Sequence, residues 1–92
     1  MRLFLDTSVG KKAEAKFINN DKTIDSATTD SPLESIDKLL RKQKIKLEDL
    51  EDIDFNPGPG SFTGLRIGAT VVNTLNWALE RKIKHKEIRY ET

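Results

Sequence analysis

Ninety-two residues make one small domain, since domains usually hold about 100–150 residues and a chain this short buries only roughly 60–65% of its unfolded surface. Its 16 Lys and Arg nearly cancel 15 Asp and Glu, which excludes a strongly basic nucleic-acid arm and an acidic solvating tail. No cysteine and a single histidine, His85, exclude a disulfide framework and a thiolate or histidine metal site, so no metal and no cofactor is expected.

Residues 2–7 form a short apolar strand that stops at Asp6-Thr7-Ser8, too early for a signal peptide. No later apolar run approaches the ~20 residues of a membrane span, so a soluble, cytoplasmic protein is expected. Val9-Gly10-Lys11 supplies a turn, and residues 12–18 alternate with Ala13, Ala15 and Phe17 inward, the period of a half-buried strand. Asn19-Asn20-Asp21 suits a tight turn because Asn and Asp tolerate positive φ. Residues 23–28 read as a third, weaker strand whose one large apolar residue is Ile24.

Ser31-Pro32-Leu33-Glu34 starts a helix with three agreeing signals: a capping hydroxyl, a proline preset for the first turn, and a glutamate completing a capping box. Leu33, Ile36, Leu39 and Leu40 then share a face, and Arg41, Lys42 and Lys44 suit the helix's negative end. Residues 47–50 read as one helical turn and 51–56, with Ile53 and Phe55, as a fourth strand. A stiff Pro57-Gly58-Pro59-Gly60 loop leads into a long helix over about residues 62–82. Residues 84–91 read as a fifth, edge strand with Ile88 and Tyr90 alternating with charge, giving the order βββαβαβ in an α/β fold.

The informative stretch is Gly58-Pro59-Gly60-Ser61-Phe62-Thr63-Gly64-Leu65-Arg66-Ile67-Gly68, between a strand and a helix. Glycine-rich turns there often hold phosphate, because backbone N–H groups and the helix dipole point at the anion. The specific versions do not match: no lysine follows Gly64 as in a P-loop, the third glycine is late for a dinucleotide fingerprint, and Pro59 and Thr63 replace the glycines of a nucleophile elbow. Two readings stand, an anion contact or a rigid turn that aims the helix. On that helix Gly64, Leu65, Ile67, Gly68, Val71, Val72, Leu75, Ala78, Leu79 and Ile83 span an apolar arc of about 160°, where one seat on a sheet needs roughly 100°. Either the first helix fills the remainder or a partner helix packs there, with Gly64 and Gly68 thinning the helix for its approach.

The eleven-residue segment resembles the signature of the TsaB (YeaZ) family, a component of the bacterial tRNA threonylcarbamoyladenosine machinery. Leu5-Asp6-Thr7-Ser8 is similar to that family's opening strand and turn, and Leu47-Glu48-Asp49-Leu50-Glu51-Asp52-Ile53 to the segment leading into its fourth strand. The resemblance implies one lobe of the ASKHA (actin-like, RNase H-like) architecture. It further implies a non-catalytic subunit that pairs with a TsaD-type threonylcarbamoyltransferase through its two helices, joined by a TsaE-type ATPase. Carried onto this chain, the interface is Leu33, Ile36, Leu40, Gly64, Ile67, Gly68, Val71, Leu75 and Ala78. The family's second lobe is expected to be absent, since nothing follows Thr92, and with it the cleft between lobes.

Other residues carry paired readings. Asp6, Thr7 and Ser8 either contact a nucleotide, as in actin-like ATPases, or form a strand-end turn that bonds its own backbone. The alternative functions are a nucleotide-binding lobe with ATPase-like activity and a homodimer through the same helices. Ser61 and His85 lack the spacing of a nucleophile and base. Trp77, on the polar side of the helix with Arg66, Thr70 and Asn73, is either covered by the tail or open to a partner. The basic runs Lys38 to Lys46 and Arg81 to Arg89 either steer tRNA, weakly or indirectly, or are solvated helix ends offset by the acidic run from Glu48 to Asp54.

Overall fold

In a computed structural model, which describes residues 1–89, five elements of the expected order fall where the patterns put them. Strand β1 (Arg2–Asp6) pairs antiparallel with β2 (Ala13–Asn19), which pairs antiparallel with β3 (Lys22–Thr29). Helix α1 (Pro32–Gln43) and a 3₁₀ turn (Leu47–Asp49) lead to β4 (Asp52–Phe55), parallel to β1, and α2 (Phe62–Ala78) follows. The result is a mixed four-stranded sheet, order β3-β2-β1-β4, with two helices. Among the described residues no helix is long and apolar enough to cross a membrane.

Register explains the core. Leu3 stands opposite Phe17 and Ile53, and Leu5 opposite Ala15 and Phe55, so one sheet face is continuously apolar. Ile36 and Leu39 of α1 and Ala69 and Val72 of α2 close over that face in a single buried cluster. The Asn20-Asp21 hairpin takes positive φ at both residues, 52° and 63°, matching the right-handed strand twist. A bulge corrects the reading of β3: Phe17 pairs with Asp25 but Ile18 with Thr23, so Ile24 is the extra residue and is left exposed.

Helix α1 starts as its sequence dictates, with Ser31 accepting from the Glu34 N–H. The return half of the expected capping box belongs to Thr29 instead, whose Oγ1 accepts the Ser31 N–H at 3.1 Å. The buried Ser35 hydroxyl donates to the Ala13 carbonyl at 2.7 Å and accepts the Thr29 N–H at 3.0 Å, tying α1 to β2 and β3. The helix closes at Lys44 in the left-handed region, φ 55°, with the Ile45 N–H on the Leu40 carbonyl at 3.0 Å.

Two expectations fail at the other end. Helix α2 stops at Ala78 rather than near residue 82 because Glu80 turns left-handed, φ 59°, and the Arg81 N–H closes onto the Asn76 carbonyl at 2.7 Å. Ile83, placed on the helical arc by spacing, lies beyond the helix and is exposed. Residues 84–89 do not form the expected strand, while Tyr90 and Glu91 of that expectation lie outside the described residues.

The tail nonetheless follows β4 in the same direction, held mainly by side chains. Lys84 pairs with Asp52 at 2.8 Å and Lys86 with Asp54 at 2.7 Å, while the Arg89 N–H donates to the Pro57 carbonyl at 2.7 Å. Asn73 of α2 holds the Lys84 backbone at both ends, accepting its N–H at 2.8 Å and donating to its carbonyl at 3.1 Å. The Asp52 carboxylate, as hydrogen-bond acceptor, holds the Lys84 ammonium above its usual range against the opposing effect of burial.

Candidate partner face and glycine loop

The glycine segment is built around the turn that ends β1. Thr7 is buried, and its hydroxyl donates to the Gly64 carbonyl in the first turn of α2 at 2.6 Å. The Ser61 N–H donates to the Ser8 carbonyl at 3.1 Å. A side chain on Gly60 would overlap the Ser8 backbone, one on Gly64 the Thr7 carbonyl oxygen, and one on Gly68 the Thr7 hydroxyl. Gly64 and Gly68 share one face of α2, with Gly60 ahead of them in the loop, and the β1 turn lies directly against all three. Gly64 and Gly68 therefore thin the helix for the chain's own first strand, which corrects the expectation that they admit a partner helix.

Ahead of these glycines, the loop leaves β4 with the Asn56 N–H on the Leu5 carbonyl at 2.9 Å. Asn56 Oδ1 accepts the Gly58 N–H at 3.1 Å, and Ser61 Oγ caps α2 by accepting the Gly64 N–H at 3.0 Å. Gly58 has φ +113°, a region L side chains rarely adopt, and the Arg89 backbone occupies the space a Cβ would need. The N–H groups of Gly58, Ser61 and Gly64 are thus already spent inside the chain. Of the two readings of the segment, this is the hydrogen-bond pattern of a rigid turn that aims a helix. Pro59 and Thr63 are exposed, and the Arg66 guanidinium lies 5.4 Å from the centre of the exposed Phe62 ring.

The Asp6-Thr7-Ser8 turn likewise bonds itself. The Asp6 carboxylate accepts from the Ser8 N–H at 2.9 Å and the Ser8 hydroxyl at 2.6 Å. Burial pushes the Asp6 carboxyl up, but those two bonds, the Asn56 side chain and the charge of Lys16 outweigh it and hold it below its ordinary 3.8. Beside this turn, a cavity of about 700 Å³ opens between the starts of both helices, lined by Thr7, Lys12, Asp30, Pro32, Ser61 and Ile67. Lys12 and Asp30 pair across it at 3.0 Å, and Lys11 on the same lining leaves it with a net positive charge. His85 lies away from Ser61, beside Trp77.

The nine residues expected at a partner interface separate by burial. Leu33, Ile67 and Ala78 are exposed, and Leu40, Val71 and Leu75 are half-buried at the rim of the core. Ile36 is not on that face: it points at the sheet with Leu39 and is buried, and Gly68 is buried against Thr7. Asn76 is not singled out by the sequence. It is buried, and its Nδ2 donates to the Ile53 carbonyl at 3.0 Å, a role that an amide surrounded by apolar positions could have signalled.

Three outcomes follow from this geometry. Gly68→Ala should destabilise the protein by about 1–3 kcal/mol in urea melts, although Ala in a helix interior normally gains about 1 kcal/mol over Gly. Thr7→Ala combined with it should be less destabilised than the sum of the single variants by at least about 0.5 kcal/mol, and simple additivity would contradict the contact. For Asp6, a folded pKa below the unfolded one means the folded state binds fewer protons. Its stabilisation is therefore present above the unfolded value of 3.8 and lost as pH falls through the lowered folded value. Asp6→Asn should lower stability at neutral pH and flatten the acid limb of a stability–pH profile below about pH 4.

The protein-family model described as TsaD, tRNA N6-adenosine threonylcarbamoyltransferase, matches residues 26–84. The chain is 42% identical over 48 residues to the tRNA threonylcarbamoyladenosine biosynthesis protein TsaB of Buchnera aphidicola, covering 52% of this chain and 23% of that protein. With the TsaB of Haemophilus influenzae it shares 33% identity over 78 residues, covering 79% of this chain and 33% of the relative. The solved structure of YeaZ from Pseudomonas aeruginosa superposes with a TM-score of 0.77 at 28% identity, over 94% of this chain and 43% of that one. The matched region thus spans a third or less of these curated relatives and under half of the solved chain. A matching family model over most of the chain, relatives named TsaB and an ASKHA-like fold shared with YeaZ together show that this chain belongs to the TsaD-type family and, within it, to TsaB (YeaZ).

Proposed function

We propose that this chain is a non-catalytic partner lobe of a TsaD-type threonylcarbamoyltransferase, serving formation of threonylcarbamoyladenosine in tRNA. It binds the partner through the outer faces of α1 and α2, and a TsaE-type ATPase joins the pair. The observation that carries this reading is the apolar surface left once the sheet-facing stripe is accounted for. Ile67, at 44% exposure, and Leu33, at 58%, are large and aliphatic, and they adjoin Val71, Leu40 and Leu75 at the core rim. Ile67, Val71, Leu75 and Ala78 recur at the spacing of a helix–helix seam. The polar groups of the glycine loop are spent on internal bonds, which favours a seating role over a reaction centre.

Ile67→Arg tests this directly, because Ile67 lies outside the core cluster and its replacement leaves the fold intact. It should weaken association with a TsaD-type partner by about thirtyfold or more in calorimetric titration, the scale of a central hot-spot residue. Unchanged affinity would sink the proposal. The same surface turned on a second copy gives a homodimer, and sedimentation of the wild-type chain with and without the partner separates the two assemblies.

A second reading, a nucleotide-binding lobe with ATPase-like activity, draws on the cavity of about 700 Å³ beside Thr7 and Ser61. It predicts heat on titrating ATP with magnesium, and no heat at millimolar ligand removes it.

A further inference from the structure

On the flank of α2 away from the proposed partner face, Trp77 stands 72% exposed, the most open large aromatic of the described chain. It is the wall between two hollows. One, of about 410 Å³, is lined by Ala69, Thr70, Asn73, Thr74 and Ile83; the other, of about 530 Å³, by Glu80, Arg81, Lys82, Ile83 and His85. An indole open on this scale has not been recruited into the core, and the tail that could have covered it is drawn off to β4 by Lys84, Lys86 and Asn73.

The charge around the ring is one-sided. Lys84 and Lys86 are neutralised by Asp52 and Asp54, but among the described residues no ion pair includes Arg81 or Lys82. Arg81 reaches only a backbone carbonyl, that of Glu48 at 3.1 Å, and its other terminal nitrogen, Nη1, is buried without a hydrogen-bond partner. An exposed lysine, a partly buried arginine and an imidazole therefore rim a flat aromatic platform, with Glu80 the single acid among the hollow's lining.

We propose that Trp77 with Lys82 and His85 is a docking site for unpaired RNA, the indole stacking on a splayed base, Lys82 meeting a flanking phosphate and the partly buried Arg81 adding its charge close by. A purine or pyrimidine ring is flat and apolar on its faces and carries an anion on each side, which is the complement of this arrangement. A protein partner would have to supply both an apolar cover for the indole and its own carboxylates for Lys82, whereas an unpaired nucleotide carries both in one unit. The choice of RNA as the nucleic acid rests on the tRNA-modification reading above; the geometry of the site does not.

Trp77 is the only tryptophan of the chain, so its fluorescence reports the site directly. The full chain is titrated at low salt with a mixed-sequence single-stranded RNA 15-mer and with the same strand annealed to its complement. The single strand should quench Trp77 and the duplex should not, because paired bases are not free to stack on a side chain. With fluorescein-labelled RNA, Trp77→Ala should lose about tenfold in affinity, Trp77→Phe should keep most of it, and Lys82→Gln should reduce the salt slope by about 0.7. Circular dichroism should be unchanged in Trp77→Ala, since the side chain is exposed. Absence of quenching, equal quenching by the duplex, or a Trp77→Ala defect confined to TsaD-type partner binding would each overturn the site. Ile67→Arg should leave RNA quenching intact, so failure of the RNA site and failure of the helix-face reading are separately visible.

Discussion

The fold turns on one contact, the β1 turn pressed against the glycines of α2. Gly64 and Gly68 on the helix, with Gly60 in the loop before it, remove the side chains that would hold the turn off, and the Thr7 hydroxyl then bonds the Gly64 carbonyl across the junction. Because the turn is the end of the central strand β1, this contact sets where α2 begins relative to the sheet. Seating α2 there directs Ala69 and Val72 into the cluster with Leu3, Leu5, Ile53 and Phe55, and it leaves Ile67 exposed on the helix flank with Val71 at the rim of the core. A Gly in a helix interior costs about 1 kcal/mol against Ala, and a close backbone approach is the compensation available only to Gly.

The two helices share the sheet unequally. Helix α1 lies over β2 and β3, fastened by the Ser35 hydroxyl, while α2 lies over β1 and β4, fastened by its glycines and by Asn76 on the Ile53 carbonyl. Each fastening is polar and inward, so the apolar residues on the outer flanks are not needed to hold the helices down. That division lets the same pair of helices be rigidly mounted and still present aliphatic surface.

Local chemistry made much of this legible in advance. Ser31-Pro32 fixed the start of α1, Asn20-Asp21 the hairpin, and alternation the inward sets Ala13-Ala15-Phe17 and Ile53-Phe55, because each depends on neighbours in the chain. What escaped depends on contacts distant in sequence. Ile24 reads as a strand residue until the register shift at Phe17 and Ile18 makes it the bulge. Gly64 and Gly68 announce a close approach by composition alone, but only the position of Thr7, more than fifty residues earlier, says what approaches. Asn76 is a polar residue on the apolar side of the helix, and only the strand carbonyl under it shows why it is buried there. The helix end at Ala78 carries no glycine signal, since Glu80 takes the left-handed turn in its place.

The tail beside β4 carries its own alignment code. Lys84 meets Asp52 and Lys86 meets Asp54, a constant offset that two charges on each side repeat. Sliding the tail by one residue would bring Ile83 and His85, or His85 and Glu87, to the two aspartates, trading both attractions for an apolar side chain or a like charge. Sliding by two one way keeps a single pair, and the other way would set Lys82 and Lys84 on the two aspartates, a register that the Asn73 bonds to the Lys84 backbone exclude. Alternating charge thus fixes which residues of the segment face the aspartates and Asn73 fixes which pair does, where the neighbouring strands are placed by backbone ladders and buried side chains. Dissolved salt competes with the first kind of placement and hardly touches the second, so ionic strength can loosen this edge of the sheet while its centre stays in register.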